Sequence, residues 1–243
     1  MRVVSYNIHK GIGGRDRLYR FERVMAVIEE LEPDLVCLQE VDHNVRRSRF
    51  DDQPKLLAER LNTTAVVYQH NVHLKMGGYG NLVLSGWPLL EKHHVSLRLK
   101  SKKPRGAQVV VVDTPRGHLQ LVNWHLGLAE RERSWQVNHL LTHAIFRKEP
   151  DLPTLIIGDY NDWRNQLKKE SLGEHGFEQI TSPPSRFRSF PAYLPLGSLD
   201  KAFYRGGLNI HRAFIAHGDL ARRASDHLPL VVDFEIASNG DPQ

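Results

Sequence analysis

Residues 155–163, LIIGDYNDW, decide how the chain reads. The first half is an apolar run behind the turn-forming Pro153 and reads as a buried strand. It then runs into Gly158, Asp159, Tyr160, Asn161 and Asp162, which puts two acids and an amide within four residues. Carboxylates are costly to bury unless something pairs with them. Alternation along a strand puts Asp159 and Asn161 on one face. A core strand therefore delivers two polar groups together to its own end, which calls for a ligand or a partner there.

On either side of this segment the apolar spacing predicts a mixed chain. A short strand is expected at 3–8 and a helix over 16–31, where Leu18, Phe21, Val24, Met25, Ile28 and Leu31 recur at helical intervals until Pro33. DLVCLQEV reads as a strand ending near Gln39 and Glu40, and PKLLAERL as a helix with Pro54 in its first turn. TAVVYQ, NLVLS, HVSLRL, AQVVVVDT and HLQLVNW follow as strands between Gly, Pro and basic turns. A long helix is expected over 129–146, with Val137, Leu140, Leu141, Ala144 and Ile145 inward, and another near 163–172. A Pro-rich loop (SPPSRFRSFPAYLP), SLDKAFY, a strand near 209–216 and PLVVDFEI complete the chain before a frayed tail at 237–243. Neither repeats nor a linker-like shift in composition interrupt it. Helices interspersed among many strands predict two packed sheets flanked by helices, in one domain over 1–236.

Bulk composition narrows the class. The chain has 243 residues, 40% hydrophobic and 25% charged, which is ordinary for a globular protein with a sizeable core. The single cysteine, Cys37, sits in an apolar run and excludes an intrachain disulfide framework. No apolar run approaches the ~18 residues needed to cross a bilayer. The opening MRVVSYNIHKG lacks the regions of a signal peptide. The expectation is a soluble cytoplasmic monomer with no obligate protein partner. A net charge of +5, with fourteen histidines besides, favours polyanionic partners.

Six segments share the habit of the opening one. SYN ends in Asn7, LQE in Glu40, LVNWH in His125 and IIGDYN in Asp159 and Asn161, while GSLDKAF carries Asp200 and RRASDHLPL carries Asp226 and His227. Each group alone has an ordinary role as a turn amide, strand terminus, satisfied core histidine or cap. Sites in sheet enzymes assemble where several strand ends meet. As a set these groups can bind metal, move protons and hold a phosphate.

The set resembles the endonuclease/exonuclease/phosphatase superfamily, which includes deoxyribonuclease I, exonuclease III, neutral sphingomyelinases and inositol polyphosphate 5-phosphatases. The matching segments are SYNIHKG (Asn7), CLQEVD (Glu40), YGNLVLS (Asn81), NWHLG (His125), GDYND (Asp159, Asn161), SLDKAF (Asp200) and SDHLPL (Asp226, His227), in the family's order. The resemblance implies a four-layered α/β/β/α sandwich, two packed mixed sheets flanked by helices, with the site at one end. It implies Mg²⁺ or Mn²⁺, with Glu40 as a direct ligand and Asn7 and Asp226 completing the shell. His227 would pair with Asp200, Asp159 would orient or deprotonate water, and His125 and Asn161 would donate to phosphoryl oxygens. Whether His227 or Asp159 is the base stays open.

The chain also departs from the pattern. His9 stands where the exonuclease III-like branch has an Asp, which makes His9 a candidate substrate contact and leaves one or two metals open. Asp162-Trp163 and Ser198-Leu199-Asp200-Lys201 replace the 5-phosphatase segments and argue against inositol phosphates. Family members often carry an Arg-Gly element in the loop read here as LKSKKPRGAQ, which singles out Arg105 as a phosphate contact, alongside Asn81 as a further substrate residue. Arg186, Arg188, Arg205, Arg222 and Arg223 add positive charge that could follow a phosphate backbone. The expected substrate is DNA, with RNA as an extension, cut with low sequence specificity. The alternative is a phospholipid head group or a small phosphorylated metabolite.

Overall fold

A computed structural model describes residues 1–167 and 171–237. Among these described residues twelve strands form two six-stranded sheets. The first holds β1 (Arg2–Asn7), β2 (Leu35–His43), β3 (Ala65–His73), β4 (Gly78–Ser85), β11 (Leu208–Ile215) and β12 (Leu230–Ile236), in the order β11-β12-β1-β2-β4-β3. The second holds β5 (Leu89–Ser96), β6 (Gly106–Thr114), β7 (Gly117–His125), β8 (Thr154–Asp159), β9 (Glu178–Gln179) and β10 (Asp200–Arg205), in the order β5-β6-β7-β8-β10-β9. One parallel pair stands in each sheet, β1 with β2 and β7 with β8, and the remaining pairs are antiparallel.

Strand alternation sorts the apolar residues into layers. Along β8, Leu155 and Ile157 pack between the sheets, and Ile156 faces outward. The inter-sheet core continues on the far side of the first sheet, where α1 (Phe21–Glu30) adds Phe21, Val24, Val27 and Ile28 and α2 (Gln53–Arg60) adds Leu57. The outer core of the second sheet joins Val122 and Trp124 to Val137, Leu140 and Leu141 of α3 (Glu130–Thr142). The predicted sandwich of two mixed sheets flanked by helices is the observed architecture. Among the described residues no helix is long and apolar enough to cross a membrane.

Buried amides tie the two sheets together. Asn123 Nδ2 on β7 donates to Leu38 O (3.0 Å) and Leu82 O (3.1 Å) of the first sheet and to Gln108 Oε1 (2.9 Å). Its Oδ1 accepts from Gln39 Nε2 at 2.8 Å. Gln108 Nε2 donates across to Val67 O (2.7 Å), Gln69 Nε2 to Val95 O (3.2 Å) and Asn81 Nδ2 to Gly106 O (2.9 Å). Gly158 lets β8 close onto β7: its φ is 151°, and a Cβ there would lie 2.1 Å from Trp124 O.

Several sequence expectations are corrected. The first helix starts at Phe21: Asp16 Oδ1 accepts from Leu18 N, Arg17 turns left-handed with φ 58°, and Tyr19 bridges back to Ile12, so the chain before Phe21 is not helical. The long helix expected over 129–146 breaks at His143 (φ −70°, ψ 137°), whose Nδ1 caps Ile145 N; a short α4 (Ala144–Arg147) follows, with Ala144 exposed. The strand read in HVSLRL lies earlier, at Leu89–Ser96. A short α5 (Asp219–Ala224) was not anticipated. The helix expected near 163–172 runs into residues 168–170, and the frayed tail at 237–243 into 238–243; both stretches lie outside the described residues.

Asn123→Ala removes three donated hydrogen bonds and one accepted hydrogen bond from a buried layer and orphans their partners. Urea denaturation is expected to show a loss of about 3 kcal/mol or more. A loss below about 1 kcal/mol would mean that the Asn123 bonds do not help to hold the sheets together.

Candidate active site

Pairing register places three strand ends side by side. In the parallel β7–β8 pair His125 lies opposite Asp159, and in the antiparallel β8–β10 pair Asp159 lies opposite Asp200. Two acids directly opposed on neighbouring strands repel. His227, from the turn after α5, answers that repulsion: its Nδ1 bonds Asp200 Oδ2 at 2.8 Å, and its Nε2 stands 3.8 Å from Asp159 Oδ2. The expected His227–Asp200 pair is thus present. Ser189 Oγ also donates to Asp200 Oδ2, while Asp200 Oδ1 has no partner.

Asp159 is the hub. Its Oδ1 accepts from Asn161 N (2.9 Å). Its Oδ2 accepts from Asn7 Nδ2 (3.0 Å), across the sheet interface, and faces His125 Nε2 at 3.3 Å. Asn161 reaches this cluster by a different route from the one alternation implies. The strand stops at Asp159, and Asn161 turns left-handed with φ 49°; its Nδ2 donates to Leu126 O (2.9 Å). The Asp159 carboxyl and the Asn161 backbone therefore form a local turn that fixes both.

Glu40 arrives from the first sheet. The β2–β4 register slips between Leu38 and Val41, and Glu40 sits in that bulge with φ 57°. Lys10 Nζ donates to its carboxylate. His9 (φ 46°) and Lys10 (φ 63°) are left-handed as well, so backbone strain gathers on this side of the cluster. Asp226 lies near His9, with Oδ1 3.8 Å from His9 Nδ1, and is partly exposed. Ser225 Oγ donates to Asn7 O (2.7 Å), and Asn7 Oδ1 accepts from His9 N (3.1 Å), next to the Lys10 that binds Glu40. Among the described residues no group of three or more His, Cys, Asp or Glu side chains is placed to hold a metal ion.

Charge is distributed unevenly over the site. Burial disfavours the His227 imidazolium, yet Asp200 and Asp159 outweigh it and raise its pKa to about 10. Burial pushes Asp159 up to about 6, with His227 pulling the other way. His125 is held well below the ordinary histidine range by burial and then by the Arg105 guanidinium. Burial works against the Glu40 carboxylate, but Lys10, His125 and Lys103 keep it far below the usual range. Behind the acids, Lys201 is buried with Nζ on Ser198 O (2.6 Å), its pKa brought down to about 8 by burial against the pull of Asp162, Asp200 and Asp159.

The remaining candidates divide. Arg105 is buried beside His125 with Nε unpartnered. Asn81 spends one N–H on Gly106 O, tying β4 to the strand that begins just after Arg105. Arg205 does not join them: it sits at the opposite end of β10 from Asp200, 4.8 Å over the Phe177 ring. Sequence reading passed over Lys10, Tyr79, Arg47 and Ser189, and named Phe190 only as an aromatic that could stack on a base. Phe190 packs 4.9 Å from the His227 ring and edge-on to the exposed Trp163. Lys10 stands inside a quoted motif and could have been noticed; the others carry no local signal.

Strand ends bring acids, imidazoles and amides together at one end of the two-sheet sandwich. The chain belongs to the Endonuclease/Exonuclease/phosphatase family, whose model matches residues 4–227. Members of this family hydrolyse phosphoric esters. Among curated proteins it is similar to the uncharacterized protein YbhP of Escherichia coli (strain K12), 27% identical over 97% of this chain and 96% of that one. Its fold matches an endonuclease/exonuclease/phosphatase from Beutenbergia cavernae with a TM-score of 0.84, at 23% identity over 98% of this chain and 72% of that one. It also matches a mannosyl-6-phosphatase of Bacteroides thetaiotaomicron with a TM-score of 0.74, at 15% identity over 96% of this chain and 99% of that one.

NMR of the His227 ring is expected to find both nitrogens protonated at pH 7.5. Asp200→Asn should lower its pKa by at least about one unit, since the lost carboxylate is its nearest charge. A neutral ring in the wild type would contradict the assignment.

Proposed function

We propose that the protein is a divalent-metal-dependent phosphodiesterase that cuts nucleic acid, a DNA endonuclease of low sequence specificity. The observation that carries this reading is His227 suspended between Asp200 and Asp159, with His125 on the other side of Asp159. The donor set fits a hard cation. Glu40 offers a carboxylate that already faces a positive group, Asn7 an amide oxygen and Asp226 a partly exposed carboxylate. Mg²⁺ and Mn²⁺ suit such an open set, because they keep several waters. When bound, the ion supplies electron withdrawal from a phosphoryl or leaving oxygen.

The chain's own groups divide the remaining work. Asp159, ionised at neutral pH yet more basic than an ordinary carboxylate, takes the proton of the attacking water. His227 already carries its proton, so it acts as a donor through Nε2 toward the phosphoryl group, and Asp200 fixes its orientation. His125, kept neutral, and the second N–H of Asn161 donate to the oxygens where charge develops. Arg105 meets the phosphate itself.

The preference for nucleic acid rests on the net charge of +5 and the basic loop before β6. A specific observation favours a second reading, a phospholipid head group or small phosphorylated metabolite. Leu128, Trp163, Tyr193, Leu194 and Leu196 are all exposed, and Trp163 packs edge-on to Phe190 beside His227. Such a rim suits an apolar substrate portion as well as an unpaired base.

Supercoiled plasmid is expected to be nicked with Mg²⁺ or Mn²⁺, not with EDTA, and less as salt rises. Intact plasmid together with phosphate or head-group release from small substrates would favour the second reading. Asp159→Asn and His227→Ala should each lower kcat by about 10²-fold or more; losses within a few-fold would remove their roles. Because the base must be ionised, kcat/KM should fall as pH drops through about 6. A flat profile between pH 5 and 8 would exclude Asp159 as the base.

A further inference from the structure

Three cations surround the ring of Tyr79, which lies near the start of β4 and is buried. Lys10 Nζ and Lys103 Nζ each stand 5.3 Å from its centroid, and Arg47 Cζ stands 5.1 Å away. They come from separate parts of the chain: the turn after β1, the turn after β2 and the loop before β6. An aromatic face attracts one cation, but a second and third add mutual repulsion. Two carboxylates stand among them. Glu40 accepts from Lys10, and Asp42 takes Arg47 in two bonds of 2.9 and 2.6 Å. Lys103 has no carboxylate partner among the described residues, and it is exposed. Arg105, two residues on, is buried with Nε unpartnered. The cluster therefore holds more positive charge than the protein neutralises.

Its construction is costly, and it borders the catalytic cluster. Lys10 is held left-handed at φ 63°, its carbonyl fixed by Gln53 Nε2 at 2.9 Å, a conformation that a non-glycine residue rarely keeps without reason. Lys103 and Arg105 both act electrostatically on His125, and Lys103 on Glu40. Yet Tyr79 belongs to the first sheet, whereas Asp159, Asp200 and His125 end strands of the second. The cations thus flank the position where Arg105 and His125 would meet the phosphate under attack.

We propose that Lys10, Arg47 and Lys103 around Tyr79 form a second anion site, which receives a phosphate of the substrate other than the one being cleaved. This rests on the phosphoesterase reading and narrows it to substrates with at least two phosphate groups. The ligand chemistry is a phosphate dianion or diester, drawn either from the neighbouring link of a nucleic-acid strand or from a bisphosphorylated small molecule. Lys103 serves as its unpaired cation, and Arg47 as a planar donor already oriented by Asp42.

Calorimetric titration separates the cases without relying on turnover. Thymidine 3′,5′-bisphosphate is compared with thymidine 5′-monophosphate, and fructose 1,6-bisphosphate with fructose 6-phosphate. The bisphosphate of at least one pair should bind at least tenfold tighter, and the preferred pair identifies the source. Lys103→Ala should cut that advantage to threefold or less, and Lys103→Arg should restore it. Lys103 is exposed and unpaired, so the folded state should survive both changes. Equal affinities in both pairs, or an advantage untouched by Lys103→Ala, would overturn the proposal. Plasmid nicking without bisphosphate preference would remove this site alone. Bisphosphate preference with an intact plasmid would uphold the site and remove the nuclease assignment.

Discussion

The site exists because the two sheets are held at a fixed offset, and buried amides set that offset. Apolar packing between sheets is non-directional and tolerates sliding. Hydrogen bonds across a dry interface do not: each adds about 1 kcal/mol when made and costs about 1–3 when left unmade. Asn123, Gln108, Gln69 and Asn81 bind backbone carbonyls of the opposite sheet, and Asn7 binds Asp159 itself. The last of these bonds is both a tie between the sheets and part of the Asp159 cluster. Sheet registry and site geometry are therefore one constraint.

Within that frame the site is electrically two-sided. Asp159 and Asp200, opposed on neighbouring strands, are reconciled by the His227 imidazolium and backed by the buried Lys201. On the first sheet's side Glu40 and Asp42 are outnumbered by Lys10, Arg47, Lys103 and Arg105. Under the proposed function, a phosphate between the halves would meet proton-transfer groups on one side and fixed cations on the other. Left-handed backbone at His9, Lys10, Glu40 and Asn161 turns side chains out of regular strands toward that space.

Much of this was legible in the sequence, and the failures have physical reasons. An acid at the foot of an apolar run is a local signal, so Asp159, Glu40 and His125 could be read one strand at a time. β5 was read too late because it is an edge strand buried on one side only; LLEKHHVS alternates, whereas HVSLRL looks more apolar. The break at His143 escaped notice because apolar periodicity continues through it to Phe146. Asn161 was expected beside Asp159 for the wrong reason, since a turn and not the pleat directs it. Three cations on one tyrosine ring arise only when segments tens of residues apart fold together, and no window of sequence contains them. The same holds for Asn81, whose amide bridges sheets that the sequence cannot align.

The central claim is spatial: a cation at Glu40 and a phosphate between His125 and His227 share one cavity around Asp159. A crystal structure of the protein soaked with Mn²⁺ and inorganic phosphate tests it most directly. The account predicts an anomalous peak within coordination distance of a Glu40 carboxylate oxygen and phosphate oxygens within hydrogen-bond reach of both imidazoles. Manganese or phosphate bound only elsewhere, with Glu40 still closed on Lys10, would contradict it.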